Sequence, residues 1–316
     1  SLYAELDGSI TIDGSSTVFP ITESVSAAFE RLAPGSAVRL GVSGTGGGFE
    51  KFCRGEIDVA DASRPITGPE SEACAGRGIG FVEVPIAFDG VSVVVNRAND
   101  FVSCLTLDEL RRLWAAQPGA AAVALWSDLR PGWPDAPITL FAPGQDSGTS
   151  DYFTGAVLGA GRSARRDVVA SEDDYVLAQR IAGDPSGLGF FGLAYFQEYR
   201  DRLHAVAIDS GAGCIAPREE SIRDGSYSPL SRPLFLYFSI PALERREVLA
   251  FADLYLEVAS QAVRSVGYVE LPERAYELNR DRLRRRRAGS AFGPGTAAGS
   301  LPIERLLAHD LGTSGP

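Results

Sequence analysis

Four short stretches of this chain combine hydroxyl side chains with glycine in the way an anion site requires: Gly14 to Thr17, Ser43 to Gly48, Asp61 to Arg64 and Asp146 to Thr149. Each reads as the loop after a β-strand, and three of them read as leading into a helix. The first turn of a helix presents backbone N–H groups that have no partner within the helix, and the helix dipole there favours negative charge. Glycine lets the backbone come close to a ligand, and Ser and Thr hydroxyls add further donors. Arg64 is embedded in the third stretch, and a guanidinium can give an oxyanion two hydrogen bonds at once. Any one of these loops could be an ordinary capped turn. Four in one chain point to oxyanion binding.

Other chemistries fit less well. The run SGTGGG at 43–48 is not followed by the Gly-Lys-Ser/Thr of a phosphate-binding P-loop, and it lacks the GxGxxG spacing of a dinucleotide site. The chain has two histidines, His204 and His309, both distant in sequence from the four loops. No His/Asp cluster for a pair of metals and no Ser–His pair is suggested. Ser63 and Ser147 could be offered as nucleophiles, but nothing near them in sequence would activate them. No CxxC occurs and no cysteine adjoins a histidine, which argues against zinc. The expectation is a binding protein with no catalytic residue, metal or cofactor.

The elements that must hold these loops read as alternating strands and helices. Strands are expected at Ser9 to Asp13, Val38 to Val42 and Ile57 to Ala60, with helices over Ile21 to Leu32 and from Phe49 through Cys53. Phe81 to Asn96 reads as two short apolar runs separated by Phe88-Asp89-Gly90. Thr106 reads as the N-cap of a helix carrying Leu107, Leu110, Leu113 and Trp114, with Asp108 and Glu109 in its first turn. Further strands are expected at Ile138 to Ala142, Leu188 to Phe191, Ala205 to Ile208 and Leu234 to Phe238. Helices are expected from Asp151, over Glu244 to Ala262, over Tyr276 to Arg287 and over Ile303 to Leu311. Gly289 to Gly299 reads as a loop. The alternation implies a parallel, doubly wound α/β sheet.

At 316 residues, with 45% hydrophobic and 22% charged residues, the chain has the composition of a globular protein of about two domains. The longest apolar stretch, Val82 to Val95, is broken by Glu83, Pro85, Asp89 and Gly90 and is too short to span a membrane. The net charge of -11 argues against a nucleic-acid partner. The basic run Arg284 to Arg287 reads as a solvated helix end. The chain begins at Ser1 with no leader-like segment before its first strand, so any signal peptide is expected to have been removed. The even count of four cysteines suggests two disulfides and an oxidising compartment. Closeness in sequence favours Cys53–Cys74, which leaves Cys104–Cys214. Four buried free thiols are the alternative.

The motifs GSSTVFP at 14–20, SGTGGGF at 43–49, DASRPI at 61–66, DSGTSDYF at 146–153, SEDD at 171–174 and PLSRPLF at 229–235 resemble the phosphate-binding protein of the bacterial high-affinity phosphate ABC transporter. They occur in the family's order over nearly the whole chain. The resemblance implies a type II periplasmic-binding-protein fold, with two doubly wound lobes joined by a two-strand hinge and a dehydrated phosphate in the cleft. Strands at 82–88 and 234–238 would be the crossings, giving lobes of 1–89 with 233–316 and of 90–232. It implies a periplasmic or cell-surface location, often with a lipid anchor on an upstream cysteine, which is not present here. Transporter permease subunits would be the partners, and the protein is expected to be monomeric.

Carried over residue by residue, the resemblance assigns Ser16, Thr17 and the N–H of Val18 to the ligand from the first loop. Ser43 and Thr45 compete for the hydroxyl position of the second. Ser63 stands where better-known members have an aspartate, with Arg64 after it. Ser147, Gly148 and Thr149 match the fourth loop. Those members carry an arginine four residues before that serine, where this chain has Pro143. Arg64, or alternatively Arg165, would then supply the guanidinium. A carboxylate that accepts the proton of phosphate would repel sulfate, which has no proton to donate. Asp146 is the first choice for it and Asp61 the second. Another oxyanion such as sulfate or molybdate, and a phosphate-ester hydrolase, are the competing readings.

Overall fold

The structure is a computed structural model that describes residues 2–116, 123–144, 147–159, 161–292 and 302–312. The chain divides into two compact units, Ser1–Phe88 with Arg232–Pro316, and Asp89–Ser231. Each sequence-expected boundary stands one residue further along the chain.

The first unit opens with β1 (Asp7–Gly14), α1 (Phe19–Leu32), β2 (Gly35–Leu40), α2 (Gly44–Cys53), β3 (Val59–Ala62) and α3 (Gly68–Ala75). β1 is the middle strand, parallel to β2 on one side and to β3 on the other. Ile10 and Ile12 alternate into the core. The helical spacing of Ile21, Val25 and Phe29 buries one face of α1. β4 (Phe81–Asn96) is one uninterrupted and fully buried strand that passes from the first unit into the second. Phe88-Asp89-Gly90 therefore does not split it, contrary to the sequence reading. Pairing sustains the strand along its length: Ala87 and Phe88 have one partner strand, and Val91 to Val95 another. Gly90 is required there, since a Cβ would lie 2.4 Å from Ile222 Cδ1.

The second unit continues with β5 (Cys104–Thr106), α4 (Leu107–Trp114), α5 (Trp126–Leu129), β6 (Thr139–Pro143), α6 (Gly148–Leu158), β7 (Val169–Ser171) and α7 (Asp174–Gly183). It is completed by β8 (Gly187–Gly192), α8 (Leu193–Tyr199), β9 (Leu203–Ala205), β10 (Ala207–Asp209), β11 (Cys214–Ile215) and α9 (Glu219–Arg223). β6 runs parallel to β7 and β8, whereas β8 and β9 pair antiparallel with β4. A small second sheet has the order β11-β10-β5. Trp114, Phe153 and Phe190 form the aromatic centre of the core, with the two phenyl rings stacked 3.7 Å apart.

The chain returns to the first unit through β12 (Ser231–Ser239), which pairs antiparallel with β3. The long helix α10 (Arg246–Ser265), β13 (Val269–Glu270), α11 (Glu273–Arg284) and α12 (Ile303–Asp310) follow. The sheets are thus mixed rather than purely parallel, because the returning strand must run opposite to β3. The single strand expected at 205–208 is two, with Val206 between them. Much of the loop expected at 289–299 lies outside the described residues.

Both disulfides are present, Cys53–Cys74 between α2 and α3 and Cys104–Cys214 between β5 and β11, each within one unit.

Candidate anion-binding site

Three of the four loops lie in the first unit, beyond the carboxyl ends of its parallel strands β1, β2 and β3. In open α/β sheets ligands bind at that edge. The sequence reading began α2 at Phe49, because glycine is a poor helix former. The helix in fact begins at Gly44, so Gly44 to Gly47 form its first turn, and the N–H groups of Gly44, Thr45 and Gly46 have no intrahelical partner. Packing explains the glycines. A Cβ on Gly48 would lie 2.7 Å from Gly14 Cα, and one on Gly14 would lie 2.1 Å from the Asp61 carbonyl oxygen. Only bare backbone allows the ends of β1, α2 and β3 to converge.

Asp13, at the end of β1, ties two of these loops together. Its Oδ1 accepts from the Gly14 N–H at 2.7 Å and from both the N–H and the hydroxyl of Ser43 at 2.8 Å. Its Oδ2 pairs with Lys51 Nζ at 2.5 Å. Burial pushes this carboxyl up, but Lys51, Ser43 and Gly14 outweigh it and hold Asp13 below the usual aspartate range. The sequence offered no sign of Asp13 or Lys51 as organisers of the site.

This bond separates the two hydroxyls of the second loop. Ser43 gives its proton to Asp13, so its oxygen could only accept. Thr45 Oγ1 accepts from the Ser63 N–H at 3.1 Å and lies 3.1 Å from Ser63 Oγ. That hydroxyl pair holds two protons and needs one for its mutual bond. One remains to be donated to an anion.

Arg64 is held in a bidentate pair with Glu70, both bonds 2.8 Å, and also donates to the Pro65 carbonyl. These three bonds leave Nε–H and one Nη2–H of its five donors. Phe49 lies beneath the guanidinium at 5.5 Å, and a Cβ on Gly46 would lie 3.8 Å from Nη2. Glu70 is raised by burial but is held below its usual range by Arg64 and by the backbone and hydroxyl of Thr67. Tyr237 on β12 fixes the same loop. Its hydroxyl accepts from the Ile66 N–H at 2.9 Å and donates to the buried Glu83 at 2.7 Å.

In the first loop Ser16 is exposed, whereas Thr17 and Val18 are buried at the start of α1. Thr17 Oγ1 accepts from Arg232 Nη2 at 3.3 Å, and its carbonyl accepts from Tyr268.

In the second unit Ser147 caps α6, its Oγ accepting from the Thr149 N–H at 3.2 Å. Gly148 and Thr149 begin the helix, three residues before the start expected at Asp151. A Cβ on Gly144 would overlap Glu172, which places the SEDD segment against this turn. Asp146 lies outside the described residues. Arg165 lines a cavity of about 410 Å³ with Ser150, Thr154 and Arg166. Its guanidinium is committed elsewhere, to both oxygens of Asp167 and to the carbonyls of Leu113 and Val123. In this arrangement Arg165 braces the fold around α4.

Asp61 lies within β3 rather than in a loop, fully buried, with Thr22 of α1 beside it. Burial, reinforced by the charge of Asp13 and opposed by Thr22, pushes its pKa up to about 8. A carboxyl that stays neutral at pH 7 cannot repel sulfate by charge. The folded chain keeps the proton while the unfolded chain loses it near 3.8, so stability falls as pH rises from about 4 to 8. Asp61→Asn is expected to raise the melting temperature relative to the parent at pH 8 more than at pH 5. An equal shift at both pH values would show that Asp61 is ionised in the folded protein.

The fold is that of the type II periplasmic-binding proteins, and the loops at the edge of the first unit offer donors suited to an anion. The PBP superfamily domain matches residues 3–257. Protein SphX of Synechocystis sp. is 43% identical over 301 residues, covering 95% of this chain and 89% of that protein. The phosphate-binding protein PstS of Staphylococcus haemolyticus is 35% identical over 277 residues, covering 86% and 84%. Among solved structures, a possible phosphate binding protein from Planctomyces limnophilus is 44% identical with a TM-score of 0.82, covering 89% and 99%. An ABC-type phosphate transport receptor from Vibrio cholerae, 21% identical with a TM-score of 0.68, shares the fold. The chain belongs to the PBP superfamily and, within it, to the phosphate-binding protein family of its SphX and PstS relatives.

Proposed function

We propose that the protein binds inorganic phosphate outside the cytoplasm and delivers it to the permease subunits of an ABC transporter. The observation that carries this reading is the convergence, at one edge of the first unit, of the first turn of α2, the spare proton of the Thr45–Ser63 pair and the two remaining donors of Arg64. These groups donate, and donors suit an oxyanion. The names of the relatives supply phosphate as the particular anion. The same reading assigns Thr17 and Val18 of the first loop and Ser147, Gly148 and Thr149 of the second unit to the ligand. Ser43 is assigned to holding its loop, and Asp146 to accepting the phosphate proton.

The same bonds support a reading of binding without turnover. Among the described residues, the Ser63 hydroxyl meets Thr45 and the Ser147 hydroxyl accepts from Thr149, so neither is paired with a general base. Two disulfides suit an oxidising compartment. Among the described residues no helix is long and apolar enough to cross a membrane.

Calorimetric titration with phosphate tests the proposal. The parent is expected to bind phosphate at one site, to ignore sulfate and molybdate at equal concentration, and to leave a chromogenic phosphate ester intact. Arg64→Ala is expected to weaken binding at least about tenfold, about 1.4 kcal/mol. A parent that takes up sulfate or molybdate in preference to phosphate, or that hydrolyses the ester, would overturn the reading.

A further inference from the structure

We propose that Tyr237 positions Arg64 for the anion, with Glu83 acting through it, an inference that rests on the phosphate reading above. The two residues stand on β12 and β4 within the first unit, and both are fully buried. The Ile66 N–H donates to the Tyr237 hydroxyl at 2.9 Å. The carbonyl of the same peptide unit, that of Pro65, accepts from Arg64 Nη1 at 3.1 Å. A peptide unit is planar and rigid, so holding its N–H end also fixes the direction of its carbonyl. Through that one plane Tyr237 sets a contact that orients the guanidinium. A second route runs through the rings. Tyr237 packs in a T-shaped contact against Phe49, centroids 4.8 Å apart, and Arg64 lies over the Phe49 ring at 5.5 Å.

Glu83 directs the hydroxyl. An N–H can only donate, so the Tyr237 oxygen accepts from Ile66, and its own proton goes to Glu83 at 2.7 Å. Glu83 is itself held by further donors. Its Oε2 also accepts from the Ser290 hydroxyl at 2.5 Å, and its Oε1 accepts from the N–H groups of Ala291 at 2.8 Å and Phe292 at 3.3 Å. Its backbone carbonyl accepts from Nε of Arg282, a fully buried side chain on α11, at 3.1 Å. The carboxylate is thus fixed from β4, α11 and the 290–292 segment, and Tyr237 carries that rigidity to the third loop. Packing asks only for a ring at position 237, where Phe49, Phe81 and Phe235 surround it. The hydroxyl is what the Pro65–Ile66 peptide requires, and this separates positioning from filling the core.

The test is phosphate calorimetry on the parent, Tyr237→Phe, Arg64→Ala and the double variant, with melting temperatures measured alongside and every titration run well below the lowest of them. Tyr237→Phe keeps the ring and is expected to weaken phosphate binding about tenfold. In the Arg64→Ala background the same change is expected to cost less than about threefold, because the side chain it positions is gone. A merely structural role would cost the same in both backgrounds. Should Tyr237→Phe fail to fold, Glu83→Gln takes its place in the cycle, with an expected loss of about fivefold in the parent background. A parent that does not bind phosphate overturns the phosphate reading and this assignment with it. A parent that binds phosphate, with the Phe or Gln variant within about threefold of it or with equal losses in both backgrounds, overturns the assignment alone.

Discussion

Replacing Asp13 with alanine will weaken phosphate binding at least about a hundredfold and will destabilise the first unit by about 1–3 kcal/mol, on the scale of leaving buried hydrogen-bond donors without their acceptor. One carboxylate holds the Gly14 N–H, the N–H and hydroxyl of Ser43, and the Lys51 ammonium. Its loss frees the first loop from the second and leaves Lys51 without its partner. Asp13→Asn keeps an acceptor for the N–H groups and loses the ion pair, so it should fall between the parent and the alanine variant. The pH dependence has the opposite sign to that of Asp61. The folded-state pKa of Asp13 is depressed, so its stabilisation is fully present above the ordinary 3.8 and is lost as pH falls through the folded value. Calorimetry and urea unfolding measure both effects. An alanine variant with parental affinity and stability would show that the loops stand without this carboxylate.

Opening the Cys104–Cys214 disulfide will cost more stability than opening Cys53–Cys74. The first closes a sequence separation of 110 residues and the second one of 21. On chain-entropy grounds a longer closed loop restricts the unfolded state more, giving about 5 kcal/mol against about 3 kcal/mol. The long bridge spans most of the second unit, from β5 to β11. Cys104→Ala with Cys214→Ala should therefore lower the unfolding midpoint of the second unit selectively, while Cys53→Ala with Cys74→Ala lowers that of the first. Urea unfolding of the two double variants, followed by unit-specific fluorescence, provides the comparison. Equal losses, or a larger loss for the short bridge, would show that native-state contacts rather than loop length set the contribution.

Much of the local structure was legible in the residues themselves. Thr106 with Glu109 announces the start of α4, and the two residues form a reciprocal cap there. Ile21, Val25 and Phe29 announce the buried face of α1. Where the reading was displaced, a tertiary contact outweighed a local preference. Glycines that suggest a loop before Phe49 form the first turn of α2, because Gly48 must lie against Gly14. Phe88-Asp89-Gly90 suggests a break, yet β4 continues through it, because strands pair with it on either side.

The sequence by itself determined the α/β class, the four hydroxyl- and glycine-rich loops and the sign of the charge they would hold. Those properties depend on residue types a few positions apart, and short-range sterics and backbone N–H groups act over that distance. The tertiary structure alone decided how the polar groups are shared. It gave the Ser43 proton to Asp13 thirty residues away and joined Thr45 to Ser63 across eighteen. It set Arg165 against Asp167 and two carbonyls, and it brought Arg232 to Thr17 across 215 residues. A hydrogen bond is made by whichever donor and acceptor the packed core brings within about 3 Å, and spacing along the chain carries no record of that meeting.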